Sequence, residues 1–256
     1  MSKRDDIDLL YRPSKTLDQA CSILFYADVA VSLITVYVNG NAVSYLNIAL
    51  VVIAFLYMVL SVIDDDILWF RAENSRRKNS IQTAFKTRLD KYRTEGYYNN
   101  SIDDPELSYA TNQFESIFFT KEISERMVPG AVVKMLVAVA VLIMTCRLTA
   151  STDVLLIVAQ TAFSAFVIED SIHLLIFAQR IKALYDEAYH ELITVGISTE
   201  AQKVWLRYFC VEYESIKAHY GIRLDESIYH KLNPQLSEEW RTMSEQIRIL
   251  TDEGRT

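Results

Sequence analysis

The stretch AVSYLNIALVVIAFLYMVLSVI, Ala42 to Ile63, decides the fold. It carries no charged residue and is apolar all round, so it leaves no water-facing side for a helix on a soluble core. Its length matches the ~20 residues that span a ~30 Å hydrocarbon layer. Upstream, Ala20 to Val38 is a second apolar block, separated only by Asn39-Gly40-Asn41. That block is too long and too closely followed for a cleaved leader. Downstream, Val128 to Leu148 and Val154 to Ala178 form another pair, joined by Thr149 to Asp153. The expectation is therefore an all-α, polytopic membrane protein with four transmembrane helices in two hairpins.

Charge sets the expected orientation. Of the 26 Lys and Arg, four precede the first block, ten lie between the second and third, and ten follow Gln179. The two short links hold none; Lys134 and Arg147 alone fall inside a block. The positive-inside rule then puts both termini and the long middle segment in the cytoplasm. The expected organisation is a cytoplasmic N-terminus over 1–19, a first hairpin over 20–63, and a helical insertion over 64–127. A second hairpin over 128–178 and a cytoplasmic helical region over 179–256 complete it.

The averages agree. Net charge is -7 and the hydrophobic fraction 51%, with Gly 6 and Pro 4, too few for a turn-rich β fold or for disorder. Three scattered cysteines, Cys21, Cys146 and Cys210, support neither a disulfide framework nor a zinc site. The acidic balance gives no sign of nucleic-acid binding.

Within the insertion, apolar positions from Trp69 to Tyr92 recur at helical spacing, so the second span is expected to continue as a long helix ended by Gly96 and a Tyr97 to Asn100 turn. Asp103-Asp104-Pro105-Glu106 reads as a new helix start, and Asn112 to Met127 as a further stretch leading to Pro129-Gly130. Beyond the fourth block, Gly196 is a break, and Thr199 with Gln202 has capping-box spacing for a helix to about Tyr220, stopped by Gly221. Val204, Trp205, Tyr208, Cys210, Val211 and Ile216 form its apolar side. A last helix is expected from Ser237, with Trp240, Met243, Ile247 and Leu250 as a stripe that needs a partner in this chain or in another subunit.

Enzyme motifs are absent: no glycine-rich phosphate loop, no G-x-S-x-G, no H-E-x-x-H. No catalytic residue, metal or cofactor is expected. The candidate sites are polar residues inside the apolar blocks. Asp28 sits about 12 Å along the first block, near the midplane, where a carboxylate costs ~3 kcal/mol and is a functional candidate by default. It either lines an inter-helix cavity or pore, or is a protonated packing contact. Asn47, Gln160 and Thr161 could join the same seam. Glu169, Asp170 and His173 cluster at helical spacing, with Glu169 about 22 Å along the fourth block. Lys134 lies at similar depth, to pair with Glu169 or Asp170 or to snorkel outward. The run Arg76, Arg77, Lys78, with Gln82 and Lys86, is the candidate anion or partner site, weighed against a solvated face that obeys the topology rule.

The layout of two hairpins, a long insertion opening on a basic helix, and a helical tail resembles the S-4TM and SLATT-like four-helix membrane effectors of bacterial antiphage nucleotide-signalling systems. The segments from Arg71-Ala72-Glu73 to Leu89-Asp90, Gly96 to Asn100 and Asn112 to Met127 carry the similarity. The resemblance implies a non-enzymatic effector of the bacterial inner membrane that assembles into a homo-oligomer and permeabilises the bilayer on infection. It also implies a cyclic nucleotide or a cytoplasmic defence protein as trigger. The other function class is an ion channel, transporter subunit or membrane scaffold without a defence role; transporters typically show more spans and inverted repeats.

Overall fold

The computed structural model describes residues 4–38, 40–92, 94–95, 100, 102–148, 154–197 and 199–253, and their side chains except at 4, 36, 95, 145–148, 154–163 and 251–253. The chain is helical, as expected: α1 (Asp8–Tyr37), α2 (Asn41–Ile63), α3 (Phe70–Phe85), α4 (Pro105–Leu148), α5 (Val154–Tyr189), α6 (Glu200–Tyr220) and α7 (Glu226–Glu253). One departure from pure helix is a two-stranded antiparallel ladder in which β1 (Arg4–Asp5) pairs with β2 (Thr94–Glu95), Arg4 opposite Glu95. Among the described residues, three stretches of helix are long and apolar enough to cross a membrane: Asp8–Thr35, Asn41–Phe85 and Pro105–Met144. The first ten side chains of α5 lie outside the described residues.

The chain divides into two units. The apolar unit comprises 7–74 and 130–172. Phe25 of α1, Tyr57 of α2, Ala138 of α4 and Val167 of α5 pack into one cluster at its centre. Each helix buries a narrow stripe and turns large apolar side chains outward; Ile23 is 69%, Phe55 59% and Val133 60% exposed. Small residues on the stripes, Ala131, Ala138, Ser164 and Ser171, permit the close helix approach on which packing in lipid depends. On α2 the stripe repeats every seven residues, at Leu50, Tyr57 and Asp64. The next buried position is Ala72, eight on, and a π-helical turn at Asp64–Trp69 takes up the extra residue. Tyr11 of α1 then holds the far side: its ring meets Trp69 edge-on at 5.2 Å and its hydroxyl donates to Glu73 at 2.7 Å.

The charged unit comprises 1–6, 75–129 and 173–256. Its core is aromatic. Phe114 is fully buried, stacked on Tyr185 at 5.5 Å and met edge-on by Trp240 at 5.7 Å. Leu174, Phe177, Ile181, Leu184 and Ala188 line the inner face of α5 at steps of three or four, and Leu192 continues it in the π-helical turn His190–Val195 that follows. Each large side chain so buried contributes about 2 kcal/mol. The Trp240, Met243, Ile247 stripe of α7 is satisfied within this unit; the Tyr185 hydroxyl donates to the Met243 sulfur at 3.8 Å.

Several boundaries differ from expectation, each for a local reason. The long helix ends at Phe85, well before Gly96. Lys86 takes a left-handed conformation (φ 52), and the Gln82 carboxamide oxygen accepts from the Leu89 and Asp90 N–H groups at 3.1 and 3.2 Å, closing the chain on itself. Gly96 to Asn99 of the expected turn lie outside the described residues. Pro105 does start a helix, with Asp104 accepting from the Glu106 and Leu107 N–H groups at 2.9 and 3.1 Å. That helix then runs unbroken through Pro129 and Gly130 to Leu148. The final helix starts at Glu226, eleven residues before Ser237, because Asp225 caps it by accepting from Ile228 at 2.9 Å; Pro234 lies inside. At α6 the capping box is present, with the Gln202 N–H on the Thr199 hydroxyl at 3.2 Å and the Thr199 N–H on the Gln202 carboxamide at 2.9 Å. Gly196 (φ 79) and Gly221 (φ 59) end α5 and α6 where a side chain would strain the backbone. The face of α6 is corrected: Leu206, Phe209, Cys210, Tyr213 and Ile216 are buried, whereas Val204, Tyr208 and Val211 point outward.

Candidate functional site

The apolar unit encloses a set of polar groups. Asp28 is 1% and Asn47 3% exposed, and Ser14, Ser32, Ser164 and Ser171 are buried with them. The helical pattern explains the grouping on α1. Phe25, Asp28 and Ser32 follow one another at steps of three and four, so they share the inward face. Counted from the turn between α1 and α2, Ser32 lies about 8 Å, Asn47 about 9 Å and Asp28 about 14 Å along its helix axis. The three therefore occupy adjacent turns of neighbouring helices. Deeper along α2, the Tyr57 hydroxyl donates to the Asp170 carboxylate of α5 at 3.2 Å. The Ser164 hydroxyl donates to the Ala138 carbonyl of α4 at 3.5 Å, and the Ser171 hydroxyl to the Val167 carbonyl at 2.8 Å. The result is a row of polar groups that is enclosed at Asp28, Ser32, Asn47, Ser164 and Ser171 and ends at Asp170, which is exposed. Such a seam can hold helices together, or hydrate and pass ions.

The structure thus buries Asp28 and Asn47 in the apolar unit and leaves Asp170 of the same unit exposed. The Gln160 and Thr161 side chains lie outside the described residues. Ser32, Ser164 and Ser171 escaped the sequence reading; their signal was spacing, four residues after Asp28 for the first and seven apart for the others. For Lys134, pairing and snorkelling were both expected possibilities. It is exposed, and among the described residues no ion pair joins it to Glu169 or Asp170. Glu169 is also exposed. An outward ammonium on an apolar helix is the snorkelling arrangement. His173 begins the charged part of α5, edge-on to Tyr220 at 5.7 Å. No group of three or more His, Cys, Asp or Glu among the described residues is placed to hold a metal ion.

The basic run of α3 is matched residue by residue in the charged unit. Arg76 donates to Asp5 at 3.0 Å and Arg77 to Glu214 at 2.7 Å. Gln82 holds the loop after α3, and Lys86 is exposed at the left-handed turn. Lys78 acts on Asp90. Partial burial pushes the Asp90 carboxyl up, but the Ser75 hydroxyl, the N–H groups of Lys91 and Tyr92, and the Lys78 ammonium outweigh it and hold it low. Arg76, Arg77, Lys78 and Gln82 thus serve the local fold, and the Lys86 side chain stands apart, exposed.

Comparison of the chain with family models, with curated proteins and with solved structures gave no match.

Proposed function

We propose that the chain is a non-enzymatic effector of the bacterial inner membrane, an oligomer that depolarises the bilayer when an infection signal reaches its cytoplasmic helical part. The observation that carries this reading is the inverted polarity of the apolar unit. Asp28, Ser32, Asn47 and Ser164 are enclosed, while Ile23, Phe55 and Val133 face outward. A scaffold needs the outward apolar surface but has no use for a carboxyl group kept inside at a cost of ~3 kcal/mol. A conducting or gated assembly uses both. In this reading α5 is the fourth span, the Asn39 to Asn41 turn is external, and both termini are cytoplasmic, as the Lys and Arg distribution favours. The layout shared with the S-4TM and SLATT-like effectors supports the defence setting, and a cyclic nucleotide or a defence protein remains the trigger to test.

The test is induced expression in bacteria with a potential-sensitive dye. The expected outcome is depolarisation and growth arrest at a protein level where a membrane protein of similar size is harmless. Full polarisation in expressing cells, both alone and during phage challenge, would remove the effector reading and leave a scaffold or subunit role.

A further inference from the structure

Two opposite charges of the apolar unit have no counter-charge within the chain. Lys134 of α4 and Glu169 of α5 are both exposed, and neither enters an ion pair or a side-chain hydrogen bond among the described residues. The bond from the Ser164 hydroxyl to the Ala138 carbonyl sets the two helices level at that point. They run antiparallel, joined in sequence by Thr149 to Asp153. Lys134, four residues before Ala138, is then about 6 Å along α4 from the shared level, and Glu169, five past Ser164, about 7.5 Å along α5 in the same sense. The two charges stand at one depth to within about 2 Å.

They do not share a side. Glu169 follows the buried Val167 by two residues, about 200° round α5, so it faces away from the central cluster, flanked by the exposed Phe166 and Ile172. Lys134 lies at the edge of the inner stripe of α4, about 40° round from Ala138, and its side chain runs out to exposure beside Val133 and Val137. The lysine can reach headgroups by snorkelling. The glutamate gains nothing that way, since its stem is two methylenes long and lipid phosphates carry its own sign. It needs a cation at its own depth. Among the described cations of the unit, Lys15, Arg12 and Arg71 lie about 15–21 Å along their helices from the cluster of Phe25, Tyr57, Ala138 and Val167, and Lys134 about 6 Å.

Copies inserted in one bilayer share one orientation, so a closed symmetric assembly turns about the membrane normal and keeps every residue at its depth. A side chain then meets only its own level on the next copy. Opposite charges at one level, on different sides of the unit, are the two halves of a head-to-tail contact. We propose that Glu169 of each copy pairs with Lys134 of the next, so that copies join head to tail within the membrane. Phe166, Ile172, Val133 and Val137 surround the pair with apolar side chains, and a low dielectric strengthens it. The pairing rests on the oligomer of the function proposed above and names its contact.

The test uses full-length copies carrying two different tags, co-expressed and measured for co-purification in mild detergent at matched membrane yield. Wild-type copies should co-purify. Lys134→Glu against itself, and Glu169→Lys against itself, set like charges at every contact, and each should lose co-purification at least tenfold. A Lys134→Glu copy beside a Glu169→Lys copy restores opposite charges wherever the two kinds meet, and should recover to within twofold of wild type. A pair formed inside one chain, or a lysine served by lipid, gives no such recovery. Lys134→Gln and Glu169→Gln shed an insertion cost and decide the matter where a reversed charge blocks insertion; each should lose at least threefold. Wild-type co-purification in both glutamine variants would overturn the pairing, as would a mixture that stays apart at full membrane yield. Depolarisation is read in the same cells. Charge-dependent co-purification without depolarisation would overturn the effector reading alone, and depolarisation with co-purification indifferent to both charges the pairing alone. Wild-type copies that never co-purify would overturn the pairing and the oligomer together.

Discussion

Replacing Asp28 by asparagine separates a wet seam from a dry one. Asp28 is 1% exposed, with Ser32 one turn along α1 and Leu50 of α2 at a similar distance from the turn between them. An ionised carboxylate in a dry interior carries a penalty of several kcal/mol; where water beside Asp28 offsets that penalty, the same water is a path for ions. In water-like surroundings a unit charge about 5 Å from a passing cation attracts it by about 0.8 kcal/mol. That is roughly a fourfold rise in local cation occupancy. Asp28→Asn keeps volume and polarity and removes the charge, so cation flux should fall about fourfold or more. Asp28→Leu removes an insertion cost of ~3 kcal/mol; it should reach the membrane at least as well and still lose flux. The assay is potassium efflux from vesicles at matched protein density, with dye depolarisation in cells at equal expression. Wild-type flux in both variants would refute the reasoning, because a dry, neutral Asp28 can be exchanged for asparagine without consequence to an ion.

Other outcomes follow from single features. Cysteine at Asn41 should react with an impermeant reagent outside the cell and cysteine at Lys86 should not; the reverse pattern would invert the topology. With its thiol pushed up to about 12, Cys210 is thiolate to about one part in 10⁴ at pH 8, so maleimide labelling should be roughly 10³-fold slower than for an exposed cysteine and recover on unfolding. Thr199→Ala removes the capping box of α6 and should cost about 1 kcal/mol, a drop of about 2–4 °C in the melting midpoint followed by circular dichroism. Tyr57→Phe deletes the bond to Asp170 at 3.2 Å and should lower resistance to detergent unfolding by about 1 kcal/mol; an unchanged midpoint would show that water replaces the hydroxyl.

Helix type and the apolar blocks were legible because both depend on patterns local to one segment: uniform hydropathy at Ala42 to Ile63, and capping chemistry at Thr199 and Pro105. The misjudged ends depend on side chains that act over a distance or against propensity. Tyr92 lies within an apolar helical pattern, but Gln82 reaches seven and eight residues on and stops the helix at Phe85. Pro129 and Gly130 stand where the expected insertion gives way to the third apolar block, yet a proline removes only one backbone bond and a steric margin, and helix on both sides carries α4 across. In the seam, Asp28 announced itself by charge, whereas Ser32 and Ser164 did not, since a serine in an apolar run looks the same inside or outside. The basic run of α3 was legible as charge but not as partners. Asp5 and Glu214 lie 71 and 137 residues away in sequence, and only folding reveals them.

The π-helical turn at Asp64–Trp69 makes the long helix unusually forgiving of one kind of genetic change. Removing a residue at Val52 would rotate everything beyond it by about 100°, taking Tyr57 off the central cluster and Glu73 away from Tyr11. Removing one of Asp65 or Asp66 would instead let the widened turn relax to an ordinary one. Leu50 and Tyr57 on one side and Ala72 and Glu73 on the other would keep their facings. A scan of single-residue deletions through Asn41–Phe85 should therefore show a narrow window of tolerance at the acidic triplet, and variation in length among natural versions of this chain should gather there.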